Sequence, residues 1–443
     1  MTIHPTSSII PRERVISAGA KPLPAIIRPV SLGLAILGLI IFVYGAATGN
    51  DRAWHAFQVN WLFFTTISSA AVMFVAVQRI TTARWSRGII RFSEGFVAFL
   101  PLALVGLVVM IVFGKSHVYP WWNSLPSLQH EKQVYLAHKF FALRSILVFT
   151  ALTALQVWYV WTSVRLDVGV SPEGGAKWAA GLRARMRAGF GEERRELHST
   201  HSVQGKLAVF MTILFAFGWV VLAWDQSMTL DPHFYSTMYG WQVFMGGWVV
   251  ALMVLSVLLR FYRHHLGASD LITDSHYHDV GKLCFAFTAF WGYLTFAQFL
   301  VIWYGNMSEE THFFTLRLTG AWKNWTLAAA WLTFALPFFG LMGVKPKMWS
   351  PTMFFFAACS FVGLWCARYA EVYPSVYGPS NNAPFSFWEA GIFLGFLGAW
   401  TFCYSAFMDA FPKFRVLLLT SPYRDEVQVP VDPKTMEPLP AHE

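Results

Sequence analysis

The chain has 443 residues, of which 56% are hydrophobic and 13% charged, and it carries a formal net charge of +9. A soluble domain usually holds about 25% charged residues, so this composition excludes an ordinary globular protein. Apolar stretches of about eighteen or more residues recur along nearly the whole length, each able to cross a hydrocarbon core of roughly 30 Å; the membrane is the solvent, and the positive excess is a topology signal rather than a nucleic-acid one.

An N-terminal arm, residues 1–28, precedes an apolar segment from Pro29 to Ala47. That segment is too long for a signal-peptide core and no small-residue cleavage site follows it, so a retained helix is expected. Further helices are predicted at Val59 to Val77, Phe92 to Phe113, Ala137 to Val164, Lys206 to Leu222, Met238 to Leu259, Val280 to Tyr304, Trp325 to Leu341, Met353 to Val372 and Phe387 to Phe411. This makes ten transmembrane helices in an all-α integral membrane fold, with a basic connection at 165–205 and a tail at 412–443.

Of the 33 Lys and Arg residues, 24 lie in or border the N-terminal arm, the even-numbered connections and the C-terminal tail, against six in or bordering the odd-numbered connections. Translocating short basic loops is unfavourable, so both termini and the long connection are expected in the cytoplasm. That connection reads as a solvated basic loop, with one short amphipathic helix on the membrane surface, or a docking site for a partner, as the alternatives. The Pro-rich tail after Ser421 reads as an extended arm. Trp54, Trp61, Trp121, Trp122, Trp161, Trp303, Tyr304, Trp322 and Trp325 stand near span ends, where interfacial anchoring is their expected role.

Cys284, Cys359, Cys366 and Cys403 fall inside apolar spans without CxxC spacing and read as packing residues. The histidines cluster in connections or at span ends, which supplies no midplane pair for axial haem ligation. Gly-rich phosphate loops, zinc spacings and nucleophile triads are missing from the sequence. The expectation is a chain that binds no metal or covalent cofactor and does no bond chemistry alone.

Ionisable groups in a bilayer cost several kcal/mol unless paired or hydrated, so those near or within spans are weighed first. Lys139 and Arg144 enter the fourth span, and Arg144 is too deep for easy snorkelling, so it is expected to face a carboxylate or water. Arg368 and Glu371, three apart in the ninth span, share one face. In the seventh span Asp279 and Lys282 are followed by Thr288, Tyr293, Thr295 and Gln298. Such a stripe is expected to face the bundle, either as interhelical glue or as a lining for proton transfer. Glu94, Asp225, Glu389 and Asp409 stand at helix ends, where charges are usually solvated.

Two stretches resemble a known family. DQSMTLDPHFYSTMYGWQVF, from Asp225 to Phe244, is similar to an outer connection of the F subunit of bacterial alternative complex III. HDVGKLCFAFTAFWGYLTFAQFLVIWYGNMSEET, from His278 to Thr311, with Arg317 and Trp322 beyond it, resembles that family's seventh helix and outer loop. The family belongs to the NrfD-like, or polysulfide reductase membrane-subunit, group. The resemblance implies two four-helix bundles, spans two to five and six to nine, with one flanking helix at each end. It implies a multi-pass subunit of a bacterial inner-membrane quinol:electron-acceptor oxidoreductase. Its partners would be a sister NrfD-like C subunit holding the better supported quinol site, an iron-sulfur subunit, multihaem c-type cytochromes, small membrane subunits, lipids and, in some assemblies, a terminal oxidase. No nucleic acid is implied, and the iron-sulfur clusters and c-type haems would belong to other subunits.

Two functions follow from that resemblance. In the first, the chain is a noncatalytic scaffold with a proton half-channel through the buried polar residues. In the second, it is a quinol-binding subunit with Arg144, Asp225, Gln298, Arg368 and Glu371 near its outer face. A secondary transporter would need broken spans at matching positions of two halves, and Pro101 and Pro337 make a weak pair.

Overall fold

The structure is a computed structural model that describes residues 10–427, and its regular elements are all helical. Residues 1–9 of the predicted arm and those of the predicted tail beyond 427 lie outside the described residues. The long helices are α1 (Ile27–Ala47), α2 (Asp51–Ile80), α3 (Ile90–Val112), α4 (His138–Val170), α5 (Glu193–Gln226), α6 (Thr237–Leu266), α7 (Asp274–Gly305), α8 (residues 322–340), α9 (Ser350–Tyr377) and α10 (Phe387–Ala410). Among the described residues nine of them, all but α8, are long and apolar enough to cross a membrane. The chain is thus an all-α, multi-pass membrane protein.

The α8 run departs from the single α-helix expected. A π turn at Trp331–Ala335 divides it, immediately before Pro337. Proline has no N–H to return to the carbonyl four residues earlier, that of Thr333, and an inserted π turn absorbs the mismatch.

The core forms around α2, whose apolar window is wholly buried and which packs on α1, α3, α5, α6, α9 and α10. Helices α3, α4 and α5 follow one another around one side of it, and α6 to α9 pack together on the other. Against this body lie α1 and α10, joined along small residues: a Cβ on Gly38 would fall 2.2 Å from the Gly395 Cα. Backbones this close give the dispersion contact that holds helices together in lipid, where burial alone drives nothing. The outward face of α1 is apolar and exposed, with Ile36, Leu39, Ile40 and Val43 among its residues.

Several helices run past the predicted ends. The α2 helix begins at Asp51 rather than Val59, α4 reaches Val170, and α5 begins at Glu193, not Lys206. Hydropathy sees only the part of a helix within oil; charged extensions continue where other forces hold them. Here Arg165 of α4 pairs with Glu196 of α5 at 2.5 Å.

The connection at 165–205 is therefore folded rather than a solvated loop. Its short helix Ala180–Arg187 lies against α4, where Arg187 donates to the Val168 and Ser171 carbonyls at 3.1 and 2.9 Å. Arg183 is buried and donates to the Ala410 carbonyl at 3.0 Å. Both guanidinium groups thus satisfy carbonyls left free where helices end. The residues after Ser421 do not form an extended arm as far as Val427: they turn, and Asp425 pairs with Arg87 at 2.8 Å. Trp61, Trp121 and Trp322 are fully buried, so these three fill the protein interior instead of anchoring at its surface. Trp303 and Tyr304 are exposed.

Candidate functional site

Chain direction places the N-terminal helix Arg12–Ala20, the even-numbered connections and the C-terminal segment at one end of the helices, here the basic end. Buried ionic clusters occur at both ends, and a line of polar side chains lies between two of them.

At the opposite end, near the start of α4 and the end of α5, Arg144 grips Asp225 with two bonds: Nε to Oδ2 at 3.0 Å and Nη2 to Oδ1 at 2.6 Å. Ser145 and Tyr135 donate to the same carboxylate at 2.8 and 3.1 Å. The guanidinium also stacks on the Tyr135 ring, 3.8 Å from its centroid. Next along α5, Gln226 accepts from the Tyr119 hydroxyl at 2.6 Å, and its carbonyl accepts from Gln58 of α2 at 2.6 Å. Burial, reinforced by the nearby Asp225 charge, pushes the Tyr119 and Tyr135 hydroxyls above the usual phenol range. Both stay protonated donors at neutral pH.

Midway, Gln156 of α4 meets Ser69 of α2, whose hydroxyl also accepts from the Trp219 indole of α5 at 2.9 Å. Between this station and the Asp225 cluster, the buried hydroxyls of Thr65 on α2 and Thr153 on α4, and Gln58 Oε1, have no hydrogen-bond partner among the described residues.

At the basic end, Arg91 pairs with both Glu94 and Asp167. Arg415, from the segment after α10, reaches Glu94 at 3.2 Å and Asp167 at 3.6 Å. Ser163 donates to Glu94 at 2.6 Å, and the Leu417 amide to Asp167 at 3.1 Å. All four charged side chains are at most 4% exposed. Two cations and two carboxylates cancel, which is the condition for keeping charge out of water.

Two further pairs lie at the opposite end. Arg368 bonds to Glu371 within α9 and donates to the Val243 carbonyl of α6 at 2.6 Å. Arg317 donates to the Glu371 carbonyl at 2.8 Å. Arg52 clasps both oxygens of Glu389, which also accepts from Tyr373 at 2.9 Å. No ion pair joins Arg144–Asp225 to Arg368–Glu371 among the described residues, and Gln298, although buried, makes no hydrogen bond to either.

The structure corrects several expectations. Glu94, Asp225 and Glu389 are buried at 0–1% exposure and Asp409 is half-buried at 17%, each paired with an arginine: at a helix end inside a bundle, a neighbouring arginine replaces water. The α7 stripe divides. Thr288 and Gln298 are buried, but Thr295 is half-buried and spends its hydroxyl on the Trp291 carbonyl of its own helix at 2.9 Å. Tyr293 points outward at 61% exposure. Lys282 also points outward, paired with Asp279 at 2.8 Å on the helix end, and Lys139 is exposed at the start of α4. Lysines this close to a helix end reach the interface by extending their stems, so nothing forces them inward.

Sequence reasoning missed Arg91, Asp167, Arg415, Gln156 and Ser69, and counted Arg91 and Arg415 among loop charges. The available signal was the spacing of Arg91 and Glu94, an i, i+3 pair directly ahead of an apolar run. It also missed His55, buried in α2, whose ring nitrogens meet the Tyr377 hydroxyl at 3.1 Å and the His117 carbonyl at 2.8 Å. The chain matches no family model and no curated protein.

Proposed function

We propose that this chain is the cofactor-free membrane subunit of a quinol:electron-acceptor oxidoreductase of the alternative complex III type, scaffolding the assembly and forming a proton-translocating half-channel. In this reading α8 completes ten crossings, α2 to α5 and α6 to α9 are the two four-helix bundles, and the basic end faces the cytoplasm of a bacterial inner membrane. Membrane topology and the two sequence stretches described above support the family reading.

The observation that carries the channel is the polar line through α2, α4 and α5, entered at Glu94 on α3. Its stations are Glu94 and Ser163 at the basic end, Gln156 and Ser69 midway, and Gln58, Ser145 and Asp225 at the other. Ser163 stands seven residues beyond Gln156 on α4, about 10 Å along the axis. Such a gap is bridged by a few waters, and polar side chains retained in apolar surroundings are the usual lining for them. The route runs through the first bundle and leaves Lys282 and Tyr293 of α7 outside it.

The quinol-pocket alternative draws less support. Arg144 and Asp225 spend their hydrogen bonds on each other and on Tyr135 and Ser145, so a head group would have to break a closed network. The test is to isolate the assembled complex through a tag on this chain. Co-purifying iron-sulfur and multihaem subunits with quinol oxidation is the expected result; a chain isolated alone from native membranes, without quinol oxidation, contradicts it.

A further inference from the structure

A cavity of about 580 Å³ opens at the basic end between the N-terminal helix Arg12–Ala20, the folded connection and the segment after α10. Four cations line it, Arg28, Arg183, Arg187 and Lys413, against two carboxylates, Asp409 and Glu173. Glu173 is 94% exposed and pairs with Arg187 at 3.3 Å. Nε and Nη2 of Arg187, and Nη1 of Arg183, donate to main-chain carbonyls. Carbonyls satisfy hydrogen bonds without cancelling charge, so the cavity keeps a positive surplus.

Two of its cations are poorly compensated. Arg28 Nε lies 3.2 Å from Asp409 Oδ2, an ion-pair contact off hydrogen-bond geometry, and its Nη2 is shielded from solvent without a hydrogen-bond partner among the described residues. Lys413 is 4% exposed, with its ammonium 4.0 Å from Asp409 and 3.2 Å from the Gly19 carbonyl. Burial and the neighbouring Arg28 charge push it below the usual lysine range, against the pull of Asp409.

The cavity's height along the helices identifies the anion's source. Arg28 is the second residue of α1 and Asp409 the last but one of α10, so the mouth lies where apolar helix surface gives way to polar ends. Immediately beside it Ile26 and Val30 are 68% and 52% exposed, and Phe411, Phe414 and Val15 give the cavity apolar walls. A phospholipid has its phosphate at this level and its chains directly above. We propose that this cavity binds the phosphate of an anionic phospholipid, with Arg28, Arg183 and Lys413 facing the charge and the acyl chains lying along α1.

The inference does not depend on the oxidoreductase reading and is testable on the full chain. Purified protein is stripped of lipid, offered nanodiscs of phosphatidylglycerol or phosphatidylcholine, and examined for retained lipid by native mass spectrometry. Preferential retention of phosphatidylglycerol is expected, weakened about fivefold by Arg28→Gln and about 25-fold by Arg28→Gln with Lys413→Gln, at roughly fivefold per charge. Equal retention of the two lipids, or variants that bind like the parent, would overturn the proposal. Inorganic phosphate that binds at millimolar concentration and displaces the lipid completely would assign a soluble-anion site instead and overturn the lipid assignment. If the variants do not fold, the parent protein with a photoactivatable phosphatidylglycerol decides: cross-links at Phe411 or Phe414 support the site, and cross-links only elsewhere refute it.

Discussion

Gln156 of α4 and Ser69 of α2 are bonded to each other twice: the amide donates to the Ser69 carbonyl at 2.8 Å, and the Ser69 hydroxyl donates to the amide oxygen at 3.1 Å. The pair lies in the most buried part of the molecule, where a glutamine without partners would cost a few kcal/mol. It ties two helices together and leaves a polar station midway between two ionic clusters.

The Arg144–Asp225 pair makes the first prediction. Asp225→Ala leaves a guanidinium in a site built for a neutral pair, and breaking a buried pair from one side costs about 3–5 kcal/mol. A fall in thermal midpoint of the detergent-solubilised protein is expected, largely restored when Arg144→Met is added. Additive losses in the double variant would show that the two residues act independently.

The cluster at the basic end predicts that Arg415 fastens the C-terminal segment. With Arg415→Ala, Glu94 and Asp167 keep only Arg91, and one negative charge stays buried without compensation. Hydrogen exchange at residues 413–427 is expected to rise by at least about tenfold, since the bond to the Leu417 amide is lost with the docking. Unchanged protection would mean that Val416, Leu417 and Leu418 hold the segment by packing alone.

A pH effect follows from the N-terminal helix. Arg14 donates to both oxygens of Asp270, at 3.0 and 2.8 Å, and this guanidinium holds the carboxyl below the usual aspartate range. A depressed folded-state value means that the stabilisation is fully present above the unfolded value of about 3.9 and is lost as pH falls through the folded one. Protection factors for amide exchange in Arg12–Ala20, corrected for the pH dependence of intrinsic exchange, are therefore expected to stay constant between about pH 5 and 8 and to fall below about pH 4. Asp270→Asn should abolish that dependence.

The seam between α1 and α10 predicts a steric outcome. Gly38→Leu forces a side chain onto the Gly395 backbone, and because backbone cannot yield as a side-chain tip does, α1 must separate. A loss of at least about 1–3 kcal/mol is expected from overpacking, with α1 becoming accessible to protease. Gly33→Leu, where an added Cβ meets nothing within 4 Å among the described residues, should be neutral.

The spans were legible in the sequence because hydrophobic thickness leaves a direct signature, and Arg144 was legible because its depth demanded a partner. The partners themselves were not. Arg91 and Asp167 are 76 residues apart, and Glu94 and Arg415 are 321 apart. A charge at a span end looks the same in sequence whether water or a distant arginine receives it. Polar periodicity on α7 misled for a related reason: one face of that helix is exposed, so Tyr293 had an outward option. Gln156 and Ser69 gave no signal, since lone polar residues in apolar runs are ordinary interhelical glue.

The central claim is a proton path along α2, α4 and α5, and the direct measurement is the proton yield per electron of the assembled complex in sealed vesicles. Gln156→Leu is predicted to lower that yield while electron transfer from quinol continues, and Lys282→Gln to leave both unchanged. An unaltered yield with Gln156→Leu, or a loss confined to Lys282→Gln, would contradict the account.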